Sequence, residues 1–197
     1  VPCLKWLHYF NRRVIEKYAT DFLACGQEAA EWMFTSNQYK IINNCISEKD
    51  FLYSINNRKD IRKKYNITDD TTIIGHVGAF KRQKNHEFIL TIFSEYLKTN
   101  PNSKLFLLGT GVLYDEIVEK AKEMNLRDKV IFAGSQGEIY KYYHAMDVFL
   151  FPSLFEGLPF SLIEAQMSGL PSVISDAITD ECIVTDIVKK MSLNSKT

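Results

Sequence analysis

The chain has 197 residues, 46 % of them hydrophobic, and its 24 lysines and arginines are balanced by 24 aspartates and glutamates. This size buries a sizeable core, as one domain with an appendage or as two small ones. The even charge balance argues against a nucleic-acid partner, and no apolar run reaches the roughly 18 residues that span a bilayer.

Cys3, Cys25, Cys45 and Cys182 lie far apart without C-x-x-C spacing. They read as free thiols in a reducing compartment, not as a disulfide framework or a zinc site. No secretory signal is visible, and the chain opens on Val1 instead of methionine, so a fragment is expected.

Residues 1–47 read as helix, strand, helix, strand. Leu4, Trp6, Leu7, Phe10, Val14 and Ile15 form an apolar stripe on a first helix that also carries Lys5, His8, Arg12, Arg13 and Lys17. Such a helix either packs on its own domain, the reading preferred here, or lies on an anionic membrane surface. Ala19 to Cys25 reads as a short strand, Gln27 to Phe34 as a helix and Tyr39 to Ile42 as a strand, with a turn-rich exit at 43–47. Residues 48–70 read as a linker and a short helix around Arg58 to Tyr65. The basic run Arg62-Lys-Lys64 is expected to be a solvated helix face.

From 71 to 197 strands and helices alternate. Strands are expected at Thr72 to Phe80, Lys104 to Leu108, Lys129 to Ala133, Asp147 to Phe151 and Ser172 to Ser175, and a sixth at Glu181 to Asp186. Helices are expected at Glu87 to Leu97, Leu113 to Met124 and Glu138 to Met146. A further helix is opened by Gly157 and Pro159 and closed by Gly169 and Pro171. This alternation implies parallel pairing through right-handed crossovers, so the fold class is α/β with a Rossmann-like, doubly wound parallel sheet.

In such a sheet, ligands bind outside the C-terminal ends of the strands. The loop after the first strand, Gly78-Ala-Phe-Lys-Arg-Gln-Lys-Asn85, holds three cations beside a helix start and suits a diphosphate. The second strand ends in a tight turn, Gly109-Thr-Gly111, and the third in Gly134-Ser-Gln-Gly137. The pattern G-x-G-x-x-G of a dinucleotide site is missing. After Phe151-Pro-Ser come Glu156 in the loop and Glu164 inside the helix, and the amides around Leu158, Phe160 and Ser161 suit an anion. His76, within an apolar strand, reads as a core residue, and neither it nor His86 is given a catalytic role.

The pattern E-G-x-P-x-x-x-x-E-A, with Glu156 and Glu164 as its acids, resembles the E-x7-E motif of retaining GT-B glycosyltransferases, more narrowly family 4, which includes enzymes of bacterial capsule and exopolysaccharide synthesis. Ala145-Met-Asp-Val-Phe149, Gly169-Leu-Pro171 and Lys84-Asn85 are similar to the same family, whose members usually carry an arginine where Ala79 stands.

The resemblance implies a fragment holding a remnant of the N-terminal acceptor domain (1–47) and a nucleotide-sugar-binding domain (71–197). It implies Glu156 as the catalytic residue facing the donor sugar. Donor binding would fall to Lys84, Asn85, Gly78, Gly109, Ser135, Gly157, Leu158, Pro159, Phe160 and Glu164, the last on the ribose. It further implies a nucleoside-diphosphate sugar, UDP-linked, as donor, with no metal or other cofactor. The acceptor would be a saccharide or lipid-linked saccharide, and the location the cytoplasm, with peripheral membrane association. Two rivals stand beside it: a non-catalytic regulatory or scaffold domain of the same fold, and a flavodoxin-like binding module.

Overall fold

The computed structural model describes residues 2–35, 38–42 and 46–193; the side chains of residues 2–6 and 8 are outside this description. The chain divides into two compact units, Val1–Cys45 and Ile46–Thr197.

The first unit has α1 (Pro2–Tyr18), β1 (Leu23–Ala24), α2 (Gln27–Met33) and β2 (Lys40–Ile41). Its two short strands pair in parallel, Leu23 opposite Lys40. The Arg12 guanidinium reaches the carbonyls of Glu31 and Phe34, and Phe22 meets Phe34 edge-on at 5.2 Å. Leu7, Phe10, Val14 and Ile15 are each at least 40 % exposed, so the apolar stripe expected to pack on its own domain is only partly covered at these four positions. Leu4, Trp6, Lys5 and His8, the rest of that expectation, fall outside the described side chains. So do 43–45 of the expected exit turn. Cys25 and Cys182 are free thiols, while the side chains of Cys3 and Cys45 are not described.

The second unit contains α3 (Glu48–Phe51), α4 (Ile55–Lys64), β3 (Thr72–Val77), α5 (His86–Thr99), β4 (Ser103–Leu108), α6 (Tyr114–Glu123), β5 (Val130–Gly134), α7 (Ile139–Ala145), β6 (Val148–Phe151), α8 (Phe160–Met167), β7 (Ser172–Ser175) and β8 (Val188–Met191). Its six strands are all parallel, in the order β5-β4-β3-β6-β7-β8. The chain therefore starts mid-sheet at β3, winds to one edge, returns to β6 and winds to the other edge. The order reverses between β3 and β6, and a doubly wound sheet opens its ligand crevice there.

Successive residues of a strand point to opposite faces, and both faces are covered here. Ile74, Leu105, Leu107 and Leu150 meet Ile89, Leu90 and Phe93 of α5 and Ile117 and Ala121 of α6. Ile73, Phe106, Leu108, Phe149 and Phe151 meet Ile61 of α4, Tyr142 and Tyr143 of α7 and Leu162 and Ala165 of α8. Two covered faces explain why the strands read as continuous apolar runs. The segment read as a linker carries Phe51, Ile61 and Ile67 into this core.

Two sequence expectations are overturned. Arg62 does not lie on a solvated face; it is 1 % exposed. Its guanidinium donates to the carbonyls of Ala145 (3.2 Å), Thr68 (2.9 Å) and Thr71 (2.9 Å) and pairs with Asp147 at 2.8 Å. Arg58 takes the other oxygen of Asp147 at 2.6 Å, and the amide of Ile73 donates to that carboxylate at 2.7 Å. Lys63 and Lys64 are exposed, as expected.

The sixth strand begins at Val188, not Glu181. The buried side chain of Gln166 accepts from the amides of Val184 (2.8 Å) and Thr185 (3.1 Å) and donates to the carbonyl of Cys182 (2.8 Å). These bonds hold 182–185 off the sheet, and Asp180–Cys182 forms a 3-10 turn.

Candidate functional site

The loops that follow β3 and β6 flank the crevice. After β3 the chain runs Gly78 to Asn85 and enters α5; after β6 it runs Pro152 to Pro159 and enters α8. Three hydrogen bonds stitch the two loops: Leu154 N to Gln83 O (2.8 Å), Gln83 Nε2 to Phe155 O (2.9 Å) and Asn85 Nδ2 to Pro152 O (3.2 Å). Asn85 adopts the left-handed conformation (φ 58°) that its short polar side chain tolerates, ahead of the first residue of α5. Its amide thus serves the loop junction.

At this junction Lys84 Nζ lies 2.8 Å from Glu156 Oε1, with both side chains largely buried (15 % and 9 % exposed). The ammonium approaches away from the hydrogen-bonding direction of that oxygen, which has no hydrogen-bond partner, so the contact is an ion pair without a well-formed hydrogen bond. The same ammonium sits 4.5 Å from the centre of the Phe151 ring, a second favourable site for its charge.

His76 and His86 lie buried beneath the loop, their rings edge-to-face at 4.9 Å, with His86 stacked on Phe80 at 4.1 Å. Burial, with Lys84 adding to it, lowers the His86 imidazole to about 4, and burial drives His76 well below its ordinary range. Both are neutral packing residues at pH 7.

A cavity of about 370 Å³ opens at the ends of β3, β4 and β5, lined by Gly78, Gly109, Thr110, Ser135, Gln136 and Glu164 among others; Lys84 and Glu156 do not line it, but the Lys84 stem lies against Gly78 on its wall. Four residues chosen from the sequence, Gly78, Gly109, Ser135 and Glu164, therefore share one wall system. A larger cavity of about 520 Å³ lies between α5 and β7–β8, but its wall is mostly apolar and, among the described residues, Glu95 is its one charged side chain, which unsuits it to a phosphate. The loop turns are drawn tightly together at the smaller cavity. Gly109 has φ +131°, and a Cβ there would lie 2.1 Å from the carbonyl oxygen of Gly78. The close approach continues the β3–β4 ladder, Gly78 N to Leu108 O at 2.9 Å and Phe80 N to Thr110 O at 3.0 Å. Gly109→Ala is expected to lower stability by about 1–3 kcal/mol, the range for a strained backbone position, read as a shift of the urea midpoint. An unchanged midpoint would show that the two loops separate freely.

Glu164 projects from α8 with Oε2 accepting from the Tyr143 hydroxyl at 2.8 Å. Burial pushes the Glu164 carboxyl up, and the bond from Tyr143 works against that rise. Sequence reasoning gave Tyr143 no role, because no local pattern marks which of three neighbouring aromatic residues faces α8. Pro159 stands one residue ahead of α8, at the helix opening expected for it. The amides of Phe160 and Ser161 have no carbonyl one turn back to bond, as at any helix start. Gly157 is exposed, while Leu158 packs against the core and Pro159 is buried. Ala79 brings only a methyl group to the cavity wall.

A parallel doubly wound sheet of this order, with these loops at its reversal point, is the fold of one half of a GT-B glycosyltransferase. The crystal structure of Anabaena Alr3699/HepE in complex with UDP and glucose superposes with a TM-score of 0.78 at 18 % identity, over 89 % of this chain and 51 % of that one. The family model for glycosyl transferases group 1 matches residues 57–191, and the chain belongs to that family.

Among relatives, EpsF of Bacillus subtilis (strain 168), provisionally named a glycosyltransferase, is 37 % identical over 175 residues, 86 % of this chain and 46 % of EpsF. The UDP-Gal:alpha-D-GlcNAc-diphosphoundecaprenol alpha-1,3-galactosyltransferase of Escherichia coli is 27 % identical over 188 residues, 91 % of this chain and 48 % of that enzyme. The chain spans about half the length of these curated relatives.

Among the described residues, no helix is long and apolar enough to cross a membrane, and no three His, Cys, Asp or Glu side chains are grouped as metal ligands would be.

Proposed function

We propose that residues 71–197 are the nucleotide-sugar-binding half of a retaining hexosyltransferase that passes a sugar from a nucleoside diphosphate, UDP in the first instance, to an acceptor hydroxyl in polysaccharide synthesis. Residues 1–47 are then the remnant of the acceptor domain. The observation that carries this reading is the meeting of Lys84 and Glu156 at the sheet's reversal point, next to a cavity that holds Glu164.

In this reading Lys84 and the amides of 157–160 offset negative charge gathering on the departing diphosphate. Glu156 faces the donor sugar and the reacting carbon, while Glu164 accepts from ribose hydroxyls. The loop of Ser135 and Gln136 contacts the base. The donor named for the Escherichia coli relative and the UDP in the Anabaena crystal support the choice of UDP. The lipid-linked acceptor in the former's name supports an acceptor of that class, reached at a membrane surface.

The second reading, a non-catalytic domain of the same fold, draws on Ala79, whose methyl group cannot make the forked phosphate bond of an arginine. Calorimetric titration decides between them. UDP is expected to bind in the micromolar to millimolar range, and uridine at least about tenfold more weakly, since charge-assisted phosphate bonds contribute about 1.5–3 kcal/mol each. No heat from UDP or any other nucleoside diphosphate would leave the scaffold reading.

A further inference from the structure

We propose that Tyr143 is a positioning residue for nucleotide recognition, holding one oxygen of Glu164 so that the other is presented to the 370 Å³ cavity and selects a ligand with two adjacent hydroxyls. This rests on the donor-binding reading above.

Helix α7 fans three consecutive aromatic side chains apart. The Tyr142 hydroxyl goes to Lys64 Nζ (2.9 Å) and Tyr65 (3.2 Å), and the His144 ring to Asn57 and the carbonyl of Phe51. Tyr143 alone of the three turns to α8. Its ring is 1 % exposed and packed edge-on against Phe149 at 5.7 Å and obliquely on Phe51 at 6.1 Å, so the phenol has little freedom.

The hydroxyl has one proton and two acceptors in reach, Glu164 Oε2 at 2.8 Å and the carbonyl of Ser161 at 3.1 Å. The carboxylate is the shorter and charged partner and takes the proton. Burial keeps the phenol well above its ordinary range, and the charge of Glu164 adds to that, so the group stays a donor.

Glu164 Oε1 takes no hydrogen bond among the described residues, and the side chain lines the cavity. One carboxylate oxygen carries two lone pairs, enough for two neighbouring hydroxyls. A free glutamate would have to give up several rotamers on binding. Here Tyr143 has already fixed it, from behind and without touching the ligand.

The test compares wild type, Tyr143→Phe, Glu164→Gln and the double variant, titrated with UDP and with 2′,3′-dideoxy-UDP and followed by thermal melting. Phenylalanine keeps the ring in the core, so a cooperative melt is expected. Tyr143→Phe should weaken UDP about tenfold, the scale of one charge-assisted hydrogen bond, and leave dideoxy-UDP within about twofold. The double variant should bind UDP no worse than Glu164→Gln alone, because the two residues act as one unit. Equal losses for both ligands would make Tyr143 a packing residue only. So would an unaltered preference for UDP in Tyr143→Phe, and either result overturns the inference while Glu164→Gln still abolishes that preference. If Glu164→Gln keeps the full preference for UDP, or wild type binds neither ligand, the donor-site reading itself falls and the inference with it.

Discussion

Arg62→Ala is expected to destabilise the chain by about 3–5 kcal/mol, the range found when one partner of a buried ion pair is removed. The guanidinium ties four places together: α4 that carries it, the 68–71 segment, the end of α7 at Ala145 and the start of β6 at Asp147. Burial lowers its pKa from the usual arginine value, with Asp147 opposing that shift, as befits a charge held inside by its partners. Removal takes the guanidinium donor from the carbonyl of Thr71 and leaves that of Thr68 with the Thr71 amide alone. Asp147 keeps Arg58 and the Ile73 amide, so it is not stranded, and this places the loss toward the lower end of the range. Urea unfolding followed by circular dichroism reads the effect directly. A loss below about 1 kcal/mol, the value of an exposed pair, would mean that water reaches the guanidinium and that the network is not a clamp.

The second large effect is on binding. Lys84→Ala is expected to weaken UDP by about 1.5–3 kcal/mol, roughly ten- to 150-fold, as for a lost hydrogen bond to a charged group. Uridine, with no phosphate, should bind as before. Lys84 is suited to this part because its ammonium is buried, bonded loosely to one carboxylate and seated over Phe151, so a phosphate finds a dehydrated, preplaced charge. Lys81 and Arg82, both exposed, contribute less through screened attraction. Raising the salt should therefore leave most of the Lys84 effect in place. Equal losses for UDP and uridine would put Lys84 away from the phosphates, and its pairing with Glu156 would then be purely structural.

What could be read from the sequence was whatever depends on neighbours along the chain. The five strands from Thr72 to Ser175 declared themselves as apolar runs because both sheet faces are covered, and their expected N-terminal ends lie within one residue of those observed. Lys84, Glu156 and Glu164 stood out as charges at strand ends or in the helix that follows. Their mutual arrangement was hidden: nothing local says that Lys84 meets Glu156, or that Tyr143 and not Tyr142 reaches Glu164.

The misplaced elements share that cause. Arg62 read as solvated because its partner, Asp147, lies 85 residues further along the chain. The sixth strand read too early because the side chain that holds 182–185 off the sheet, Gln166, belongs to another helix. The exposed stripe on α1 obeys helical periodicity, which fixes the side of a helix and not what meets it.

The three hydrogen bonds between the loops after β3 and β6 have a bearing on how such a domain diversifies. Each uses a main-chain carbonyl as acceptor, at Gln83, Phe155 and Pro152, and a carbonyl is present whatever side chain a mutation supplies. Side-chain turnover at Phe155 or Leu154 therefore leaves the loop after β6 registered against the loop that carries Lys84. Ser135 and Gln136, across the cavity, are bound by no such stitch among the described residues, Gln136 bonding only back to Ala133 at the end of β5. Under the proposed donor-binding reading, a lineage could retool the end that would read the base by drift in those few positions while inheriting the Lys84 end unchanged. Changes of donor in descendants of this chain would then begin at 135–137.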